Sequence, residues 1–420
     1  MTALGGPLAG CMTSVTLDSP TDRAVMAALD PTTQSGEESQ LIAGLLGRRS
    51  VLEAGAYEQV ADAVLAANSR AAEAELRAAR LRAEAAQHNW LPTIGPSLSL
   101  TSLGEVVTSL VLEQTIFDNG RKKAERDFAA ADVEVAAVAL AQDTNDRVLE
   151  ALELYLTAQA MIARSNVNQS AMERMNHFEY VMSERVRGGV SNRADLQVVQ
   201  QKVSQMRADL IADQEAANTA LAELSAMSAQ PIGGITGLSD LSAPAANALP
   251  LSVLKAEAES SRSVAEATIA RAGFLPGVTA SGVARGGETD FGLNVGVPNG
   301  LGLGTGAALQ AVEAEREAAA AQVNQAREEA ERRLRSLDAQ IESLRRQEAE
   351  ARNLARQAAE NYEVFAQQLR EGQRTVGDVV GLFETKVRTE RAAVVIPFDI
   401  AKLELRRAAI LGTLVDGDRI

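Results

Sequence analysis

Two very long stretches of the chain contain neither glycine nor proline, and they limit the possible folds more than any other feature. They cover residues 121–187 and 307–371. At about 1.5 Å per residue, either stretch would form a helix of roughly 100 Å. Ordinary globular helices are much shorter, so the sequence predicts a coiled coil or a helical barrel.

Apolar side chains in both stretches follow the spacing of a coiled-coil seam. In the second stretch they lie 3, 4 and 3 residues apart, at Leu334, Leu337, Ile341 and Leu344. The first stretch begins a similar seam at Val148, Leu152 and Tyr155, but the next seam position is the polar Gln159. The heptad pattern therefore predicts that both long helices pack lengthwise against other helices.

The sequence contains an internal repeat with a period of about 183 residues, which indicates a duplicated supersecondary unit. Four landmarks recur in register: Trp90-Leu91-Pro92 as Phe274-Leu275-Pro276, Asn119-Gly120 as Asn299-Gly300, Arg187-Gly188-Gly189 as Arg370-Glu371-Gly372, and Asp195-Leu196 as Asp378-Val379.

Each repeat has the same predicted order of elements, and the first repeat covers residues 51–228, the second 251–414. The order is a leading helix (about 51–89 and 251–273), a hairpin of two strands (about 92–117 and 276–298), the long helix, a glycine turn (about 187–192 and 370–375) and a return helix (about 191–228 and 375–414). Residues 229–250 form the linker, 12–50 an extended tether with little order, and 415–420 a C-terminal tail. We expect Pro397 to kink the second return helix.

The hairpins alternate apolar with small or polar residues, which is typical of strands with two unlike faces. The apolar positions include Ile94, Pro96, Leu98 and Leu100 in the first strand, Leu110 and Leu112 in the second, and Phe291, Leu293, Val295 and Val297 in the last. Each strand has about the length that a bilayer requires.

Closure of a membrane sheet predicts the oligomeric state. Four strands cannot close a barrel, whereas three copies would supply twelve, and an open edge in lipid is forbidden. If Leu110 and Leu112 face lipid, Glu113 faces a water-filled lumen. Trp90 and Phe274 precede the strands, where an aromatic belt would lie. Pro96 cannot donate a ladder hydrogen bond, so we expect a bulge there. The alternative is that soluble hairpins cap a coiled coil.

The composition excludes several other functions. The net charge of −15 opposes binding of nucleic acid. The sequence has no run of apolar residues long enough for a transmembrane helix. The two histidines, His88 and His177, accompany no cluster suited to zinc or to nucleophilic catalysis, so we expect surface positions for both. Gly302, Gly304 and Ala307 fit the spacing of a dinucleotide-binding loop, but the acidic residue expected after a second strand is absent. We predict no catalytic residue, no metal and no cofactor.

The single cysteine, Cys11, lies in a setting typical of lipoprotein processing. Leu8-Ala9-Gly10-Cys11 has the form of a lipobox, although residues 1–7 lack the positive charge of a signal peptide. Either this pattern arises by chance, or the true start lies upstream and residues 1–11 are a signal remnant ending at a lipidated Cys11.

Three local motifs within the two repeats resemble motifs of the TolC family of outer-membrane factors. The resemblance covers about residues 51–414. Ile116-Phe117-Asp118-Asn119-Gly120-Arg121 is similar to the family's strand-to-helix signature. Gly372-Gln373-Arg374-Thr375-Val376-Gly377-Asp378-Val379 is similar to its turn at the periplasmic tip. Leu411-Gly412-Thr413-Leu414 is similar to its closing motif.

The resemblance implies a mainly α fold with a small membrane β part: a homotrimeric twelve-stranded β-barrel in the outer membrane, continuous with a periplasmic α-helical barrel. The implied partners are a periplasmic adaptor (membrane fusion) protein, an inner-membrane pump of RND or ABC type, and outer-membrane lipid. The implied function is passive export through a tip that opens when the adaptor and pump engage it. Drug efflux and type I secretion are not separable on this sequence.

The turns contain the candidate site residues. Asp378 would form a ring of three carboxylates at a constriction, or it complements a helix dipole; for its counterpart, Asp195, the helix dipole is favoured. Arg374 and Arg187 hold the closed pore, or they are solvated surface residues. The adaptor-docking turns also contain Gly188, Gly189, Arg370 and Gly372, and we expect positive φ angles at Gly189 and Gly372.

Two rival functions remain at this point. A periplasmic adaptor also uses helical hairpins, but it should have lipoyl-like β segments around a single hairpin, whereas this chain has two equal repeats. A coiled-coil scaffold would need no alternating strands. Both rivals lack a channel.

Overall fold

Two helices of nearly equal length determine the dimensions of the protein. A computed structural model describes residues 39–67, 71–100, 106–245, 248–300 and 302–419. The helices are α1 (Gln40–Leu46), α2 (Ala56–Leu65), α3 (Ala71–Gln87), α4 (Arg121–Arg187), α5 (Arg193–Met227), α6 (Leu251–Ala272), α7 (Thr305–Arg370) and α8 (Val376–Ile410). At 67 and 66 residues, α4 and α7 are each roughly 100 Å long.

The two halves of the chain repeat one order of elements. The strands are β1 (Thr93–Leu100), β2 (Val106–Phe117), β3 (Gly277–Arg285) and β4 (Glu288–Gly296). The first half runs α3, β1, β2, α4 and α5, and the second runs α6, β3, β4, α7 and α8. Helix α4 packs against α3, α5, α6 and α8, whereas α7 packs against α6 and α8. The two halves therefore join mainly through α4.

The first leading helix is shorter than predicted. A single helix over 51–89 is wrong, because residues 51–55 precede α2 as an extended segment. The N–H of Val51 donates to the carbonyl of Thr413 (2.8 Å), and Leu52 pairs with Leu241 in an isolated bridge. A Cβ at Gly55 would lie 2.6 Å from the Ser239 hydroxyl. Contacts with the linker and the C-terminal segment thus hold residues 51–55 in a non-helical conformation.

The tether predicted over 12–50 is also wrong in its last part. Helix α1 occupies Gln40–Leu46, and Leu45 is buried beside Leu76, Val138 and Leu251. An apolar face on a short helix therefore joins the core, which the composition of the tether did not reveal. Residues 12–38, and with them Cys11, lie outside the described part of the chain.

The apolar core is a series of clusters along the long helices. One surrounds Val148, Leu152 and Tyr155 near the middle of α4, where α2, the linker and the C-terminal segment meet. Another, which we call the turn-end core, is formed by the buried apolar residues that lie within 171–182, 199–206, 362–366 and 376–387. The first predicted seam is buried at Val148, Leu152 and Tyr155. In the second, Ile341 is buried against α8, Leu337 and Leu344 are partly buried beside it, and Leu334 lies outside this cluster. None of the described helices is both long and apolar enough to cross a bilayer.

The four strands form one antiparallel sheet in the order β1-β2-β3-β4. The bulge predicted at Pro96 is wrong: Pro96 lies opposite Leu110 in an unbroken register. Within one copy, strand β1 is at the edge of the sheet, a position in which proline is tolerated. The register shifts instead between Thr115 and Phe117, where β2 meets β3. Helix α8 continues through Pro397, and the kink there stays a prediction.

A buried carboxylate connects three helices. Asp213 of α5 is 1% exposed, and Arg164 of α4 donates to it from Nε (2.8 Å). Arg391 of α8 donates to the same carboxylate (2.8 Å) and to Asp209 (2.7 Å). A buried charge requires such partners, because leaving it unpaired in the interior is costly.

We expect Asp213→Asn to lower the free energy of unfolding by about 2–3 kcal/mol, because two arginines then lose their charged partner in a buried place. Urea unfolding followed by circular dichroism measures this change. Asp209→Asn is the matched control, and its half-exposed ion pair should be worth at most about 1 kcal/mol. Equal losses for the two variants would contradict the structural role of Asp213.

Candidate functional site

One face of the sheet is apolar and open to the surroundings. Residues directly opposite each other in neighbouring strands point to the same face, so the register places Leu98, Leu110, Leu112, Ala280, Phe291, Leu293 and Val295 together with Ile94 on one side. Leu98 is 71% exposed and Phe291 is 79% exposed. No described element covers this face, which is unusual for so many large apolar side chains.

The opposite face is mostly small and polar, although it also contains Val107, Val111 and Val283. It includes Ser97, Ser109, Glu113, Thr115, Ser281, Asp290 and Asn294. The Asn294 side-chain amide donates to the Ser281 hydroxyl (3.0 Å). Glu113 lies opposite Ser281, on the side away from Leu110 and Leu112, as the alternation predicted. The sheet can therefore separate an apolar medium from water.

Glycine shapes the apolar face at one position. A Cβ at Gly282 would lie 2.9 Å from the ring of Phe291, its cross-strand partner. The ring therefore lies over the glycine, and the missing side chain gives it room.

The two predicted interface aromatics lie at the start of the hairpins. Trp90, which precedes β1, is 58% exposed, and its carbonyl accepts the Gln114 side-chain amide (3.1 Å). Phe274, which precedes β3, is half-buried. Both therefore lie at the junction between the sheet and the helices.

The first turn, between α4 and α5, ends one helix and caps the next. Gly189 has φ +73°, as predicted, and the Val190 N–H donates back to the Arg185 carbonyl (2.8 Å). Arg187 forms an ion pair with Glu184 within its own helix. The Asn192 side chain accepts the Asp195 N–H (2.8 Å), so Asp195 occupies the third position of α5.

The second turn, between α7 and α8, has the same design. Gly372 has φ +78°, as predicted, and Arg370 ends α7. The guanidinium of Arg374 lies 4.3 Å from the centre of the Phe365 ring, and its Nε donates to Gln368 (2.9 Å).

Asp378 makes contacts of a helix cap within one chain. The Thr375 hydroxyl accepts the Asp378 N–H (3.2 Å). In return the Asp378 carboxylate accepts the Thr375 N–H (3.2 Å) and hydroxyl (2.8 Å). These hydrogen bonds, with a smaller contribution from the charge of Arg374, hold the pKa of Asp378 below its usual range. A capping box explains Asp378 in a single copy, and its place in a ring stays a prediction.

Both turns lie at the same end of the helices, because the turn-end core contains residues that flank each of them. The sheet lies at the other end, since α4 and α7 begin close after β2 and β4. The two candidate regions, an amphipathic sheet and a pair of turns, are therefore about one long helix apart.

The remaining sequence candidates make no catalytic site. His88 and His177 are exposed. The Thr305 hydroxyl accepts the Gly302 N–H (3.0 Å) where α7 begins, so this glycine-rich segment acts as a helix start. The described residues contain no group of three side chains suited to a metal ion. Sequence reasoning missed the Arg164–Asp213–Arg391 network, because three separate helices supply its members and no local spacing connects them.

Gly372→Ala should destabilise the fold by about 1–2 kcal/mol, because an L-residue at positive φ is strained. Gly381→Ala is the matched control in the same region. Gly381 lies inside α8 with open space around it, so alanine there should stabilise the helix by about 0.5–1 kcal/mol. Urea unfolding of both variants tests this, and changes of the same sign would contradict the assigned turn.

Comparison with known proteins gives a consistent result. Residues 66–230 match the sequence profile of the family described as outer membrane efflux protein. No curated protein sequence matches the chain.

Solved structures resemble the chain over most of its length. A membrane protein from Pseudomonas aeruginosa has a TM-score of 0.76 at 19% identity, covering 88% of this chain and 92% of that one. The outer membrane protein VceC from Vibrio cholerae has a TM-score of 0.73 at 17% identity, covering 85% and 96%. The CmeC outer membrane channel from Campylobacter jejuni has a TM-score of 0.73 at 12% identity, covering 97% and 94%. At these identities the likeness establishes the fold.

The rivals predicted from the sequence, an adaptor and a scaffold, have no support in these matches. The predicted resemblance to TolC-like outer-membrane factors is confirmed: the chain has the fold of the outer-membrane channels, and its residues 66–230 match the outer membrane efflux protein family.

Proposed function

We propose that the chain is one subunit of an outer-membrane channel that ends a tripartite export system. The observation that carries this proposal is the sheet with one exposed apolar face and one polar face. It lies at one end of helices that are roughly 100 Å long. Such a sheet is suited to the boundary between lipid and a water-filled lumen.

The unpaired edges of the sheet support a trimer. Strands β1 and β4 each have one side without a partner among the described residues. Unpaired backbone groups are not tolerated in the hydrocarbon region, so the sheet must close. Three copies of four strands give a twelve-stranded barrel, and the helices below it give a helical barrel that extends into the periplasm.

The helical end is the proposed gate and docking surface. A periplasmic adaptor protein and an inner-membrane pump of RND or ABC type engage the two turns, and the channel conducts passively. Arg187, Gly188, Gly189, Arg370 and Gly372 shape the docking surface. Conduction requires no catalytic group and no cofactor, and the CmeC channel supports this role through its shared fold.

The charged residues of the turns have a second proposed role in the trimer. Asp378 of three copies forms a ring that favours cations, with Arg374 and Asp195 nearby. Mutual repulsion in the ring raises the carboxyl pKa, whereas the hydrogen bonds from Thr375 lower it. The helix cap and the ring are compatible, because the capping contacts use groups of the same chain.

Two further features connect the subunit to the membrane. Trp90 and Phe274 occupy the aromatic belt at the interface nearer the helices. Cys11 becomes a lipidated N-terminus anchored in the outer membrane, consistent with the Leu8-Ala9-Gly10-Cys11 lipobox. The protein is thus located in the outer membrane with a long periplasmic extension.

Trp90 is the chain's only tryptophan, so its fluorescence reports the position of the sheet without a label. In vesicles that contain brominated lipids we expect strong quenching of this fluorescence, because the indole lies at the bilayer interface. The matched control is Trp90→Phe with Phe274→Trp, which moves the reporter to the equivalent position of the second repeat. Fluorescence that is insensitive to bromination in both proteins would overturn the proposed insertion.

Asp378→Asn should reduce the preference of the open channel for cations, because each copy loses one negative charge at the constriction. The reversal potential of a planar bilayer under a KCl gradient measures this preference and should move toward zero. Asp195→Asn serves as the comparison and should change the potential less. An unchanged reversal potential in Asp378→Asn would remove the ring from the account.

A further inference from the structure

Two ion pairs connect α5 to α8, one heptad apart. Lys202 of α5 donates to Glu384 of α8 (2.7 Å), and Arg391 of α8 donates to Asp209 of α5 (2.7 Å). The step from 202 to 209 equals the step from 384 to 391. This is the spacing at which charged side chains pair between parallel helices of a coiled coil.

The two helices run side by side in the same direction. Both begin at the turns, and Val199 and Val203 of α5 are buried in the turn-end core together with Val379 and Phe383 of α8. Helix α5 packs mainly on α4, whereas α8 packs on both α7 and α4, and α5 and α8 have little direct contact with each other. The long charged side chains therefore span the groove between them.

The signs of the charges alternate in opposite order on the two helices. Along α5 a cation, Lys202, precedes an anion, Asp209; along α8 an anion, Glu384, precedes a cation, Arg391. A slip of one heptad in one direction would place Lys202 against Arg391. The opposite slip would place Asp209 against Glu384. Either slip replaces attraction by like-charge repulsion, so the pattern accepts a single register.

The buried carboxylate of Asp213 connects one of these ion pairs to a third helix, α4. Arg391 also donates to Asp213 (2.8 Å), which Arg164 of α4 binds in turn. Arg391 is itself mostly buried. A slip of α8 would therefore also leave the charge of Asp213 short of a partner, which is costly in the interior.

We infer that Lys202, Asp209, Glu384 and Arg391 set the register of α5 against α8 and thereby hold the two turns level. The repeat does not reproduce this pattern. The equivalent positions of the other repeat, about 183 residues away, are Thr385 and Ala392 for α5 and Gln201 and Ala208 for α8. The two ion pairs therefore form only between α5 and α8 of one chain. The equivalent positions, which would meet between copies, have no charged residues.

The consequence for gating rests on the proposed function. If the turns form the gate, these ion pairs oppose sliding of the two halves of one subunit past each other there. The register itself requires no membrane and no channel, so the two ideas can fail separately.

Pulsed electron paramagnetic resonance tests the register directly. Spin labels at Val190→Cys and Gln373→Cys, in a Cys11→Ser chain, report the distance between the two turns. Mixing with excess unlabelled chain leaves one labelled copy in most assemblies. We compare Lys202→Glu, the reversed pair Lys202→Glu/Glu384→Lys, and the control Arg207→Glu, an exposed α5 residue without an ion pair among the described residues.

Lys202→Glu should broaden or shift the distance distribution, the reversed pair should restore it, and Arg207→Glu should leave it unchanged. An unaltered distribution in Lys202→Glu, or a reversed pair that fails to restore it, would overturn the inference. If Lys202→Glu alone does not fold, recovery of folding in the reversed pair supports the inference and its failure opposes it. Failure of the chain that keeps Cys11 to enter membranes would instead refute the proposed channel, whatever the distances between the turns.

Discussion

The structure depends on one constraint: a four-stranded sheet with an apolar face and two open edges cannot remain as it is in either water or lipid. In water the apolar face lacks cover, and in lipid the edges of β1 and β4 expose unpaired backbone groups. In the proposed trimer, closure with further copies pairs the edges, and the surrounding bilayer covers the apolar face. The long helices α4 and α7 follow the hairpins, so in the proposed trimer they would form a ring below the barrel.

The sequence predicted the features that local chemistry determines. Absence of glycine and proline set the limits of α4 and α7 almost to the residue. Alternation located the strands, although it is less clear in β2, and it indicated the side of Glu113. Gly189 and Gly372 indicated turns because few other residues adopt positive φ.

Features that depend on distant segments were missed or misplaced. The extended stretch 51–55 and helix α1 arise from contact with the linker, the C-terminal segment and α6, which no local pattern contains. The bulge lies at Thr115–Phe117, where β2 meets β3, and not at Pro96, because the pairing of β2 with β3 joins distant segments of the chain. Asp213 appeared to be an ordinary helix carboxylate until α4 and α8 placed an arginine on each side of it.

Charge has two separate roles in the helical part. Near the turns, Asp195 and Asp378 each place a negative charge in the first turn of a helix, and the Asp378 carboxylate also completes a capping box. Farther along, the alternating pairs between α5 and α8 relate the two repeats to each other. The first role is repeated in both halves, as expected for a property of the duplicated unit, whereas the second occurs once. The duplicated halves have thus diverged where they meet within a chain.

The central claim is that three copies close a single channel through their sheets. Native mass spectrometry of the protein, extracted from outer membranes in mild detergent, tests it most directly. The account predicts a trimer, with acyl mass on subunits that begin at Cys11. A water-soluble monomer or dimer would contradict it, because the apolar faces of the sheets would then have no role as membrane strands.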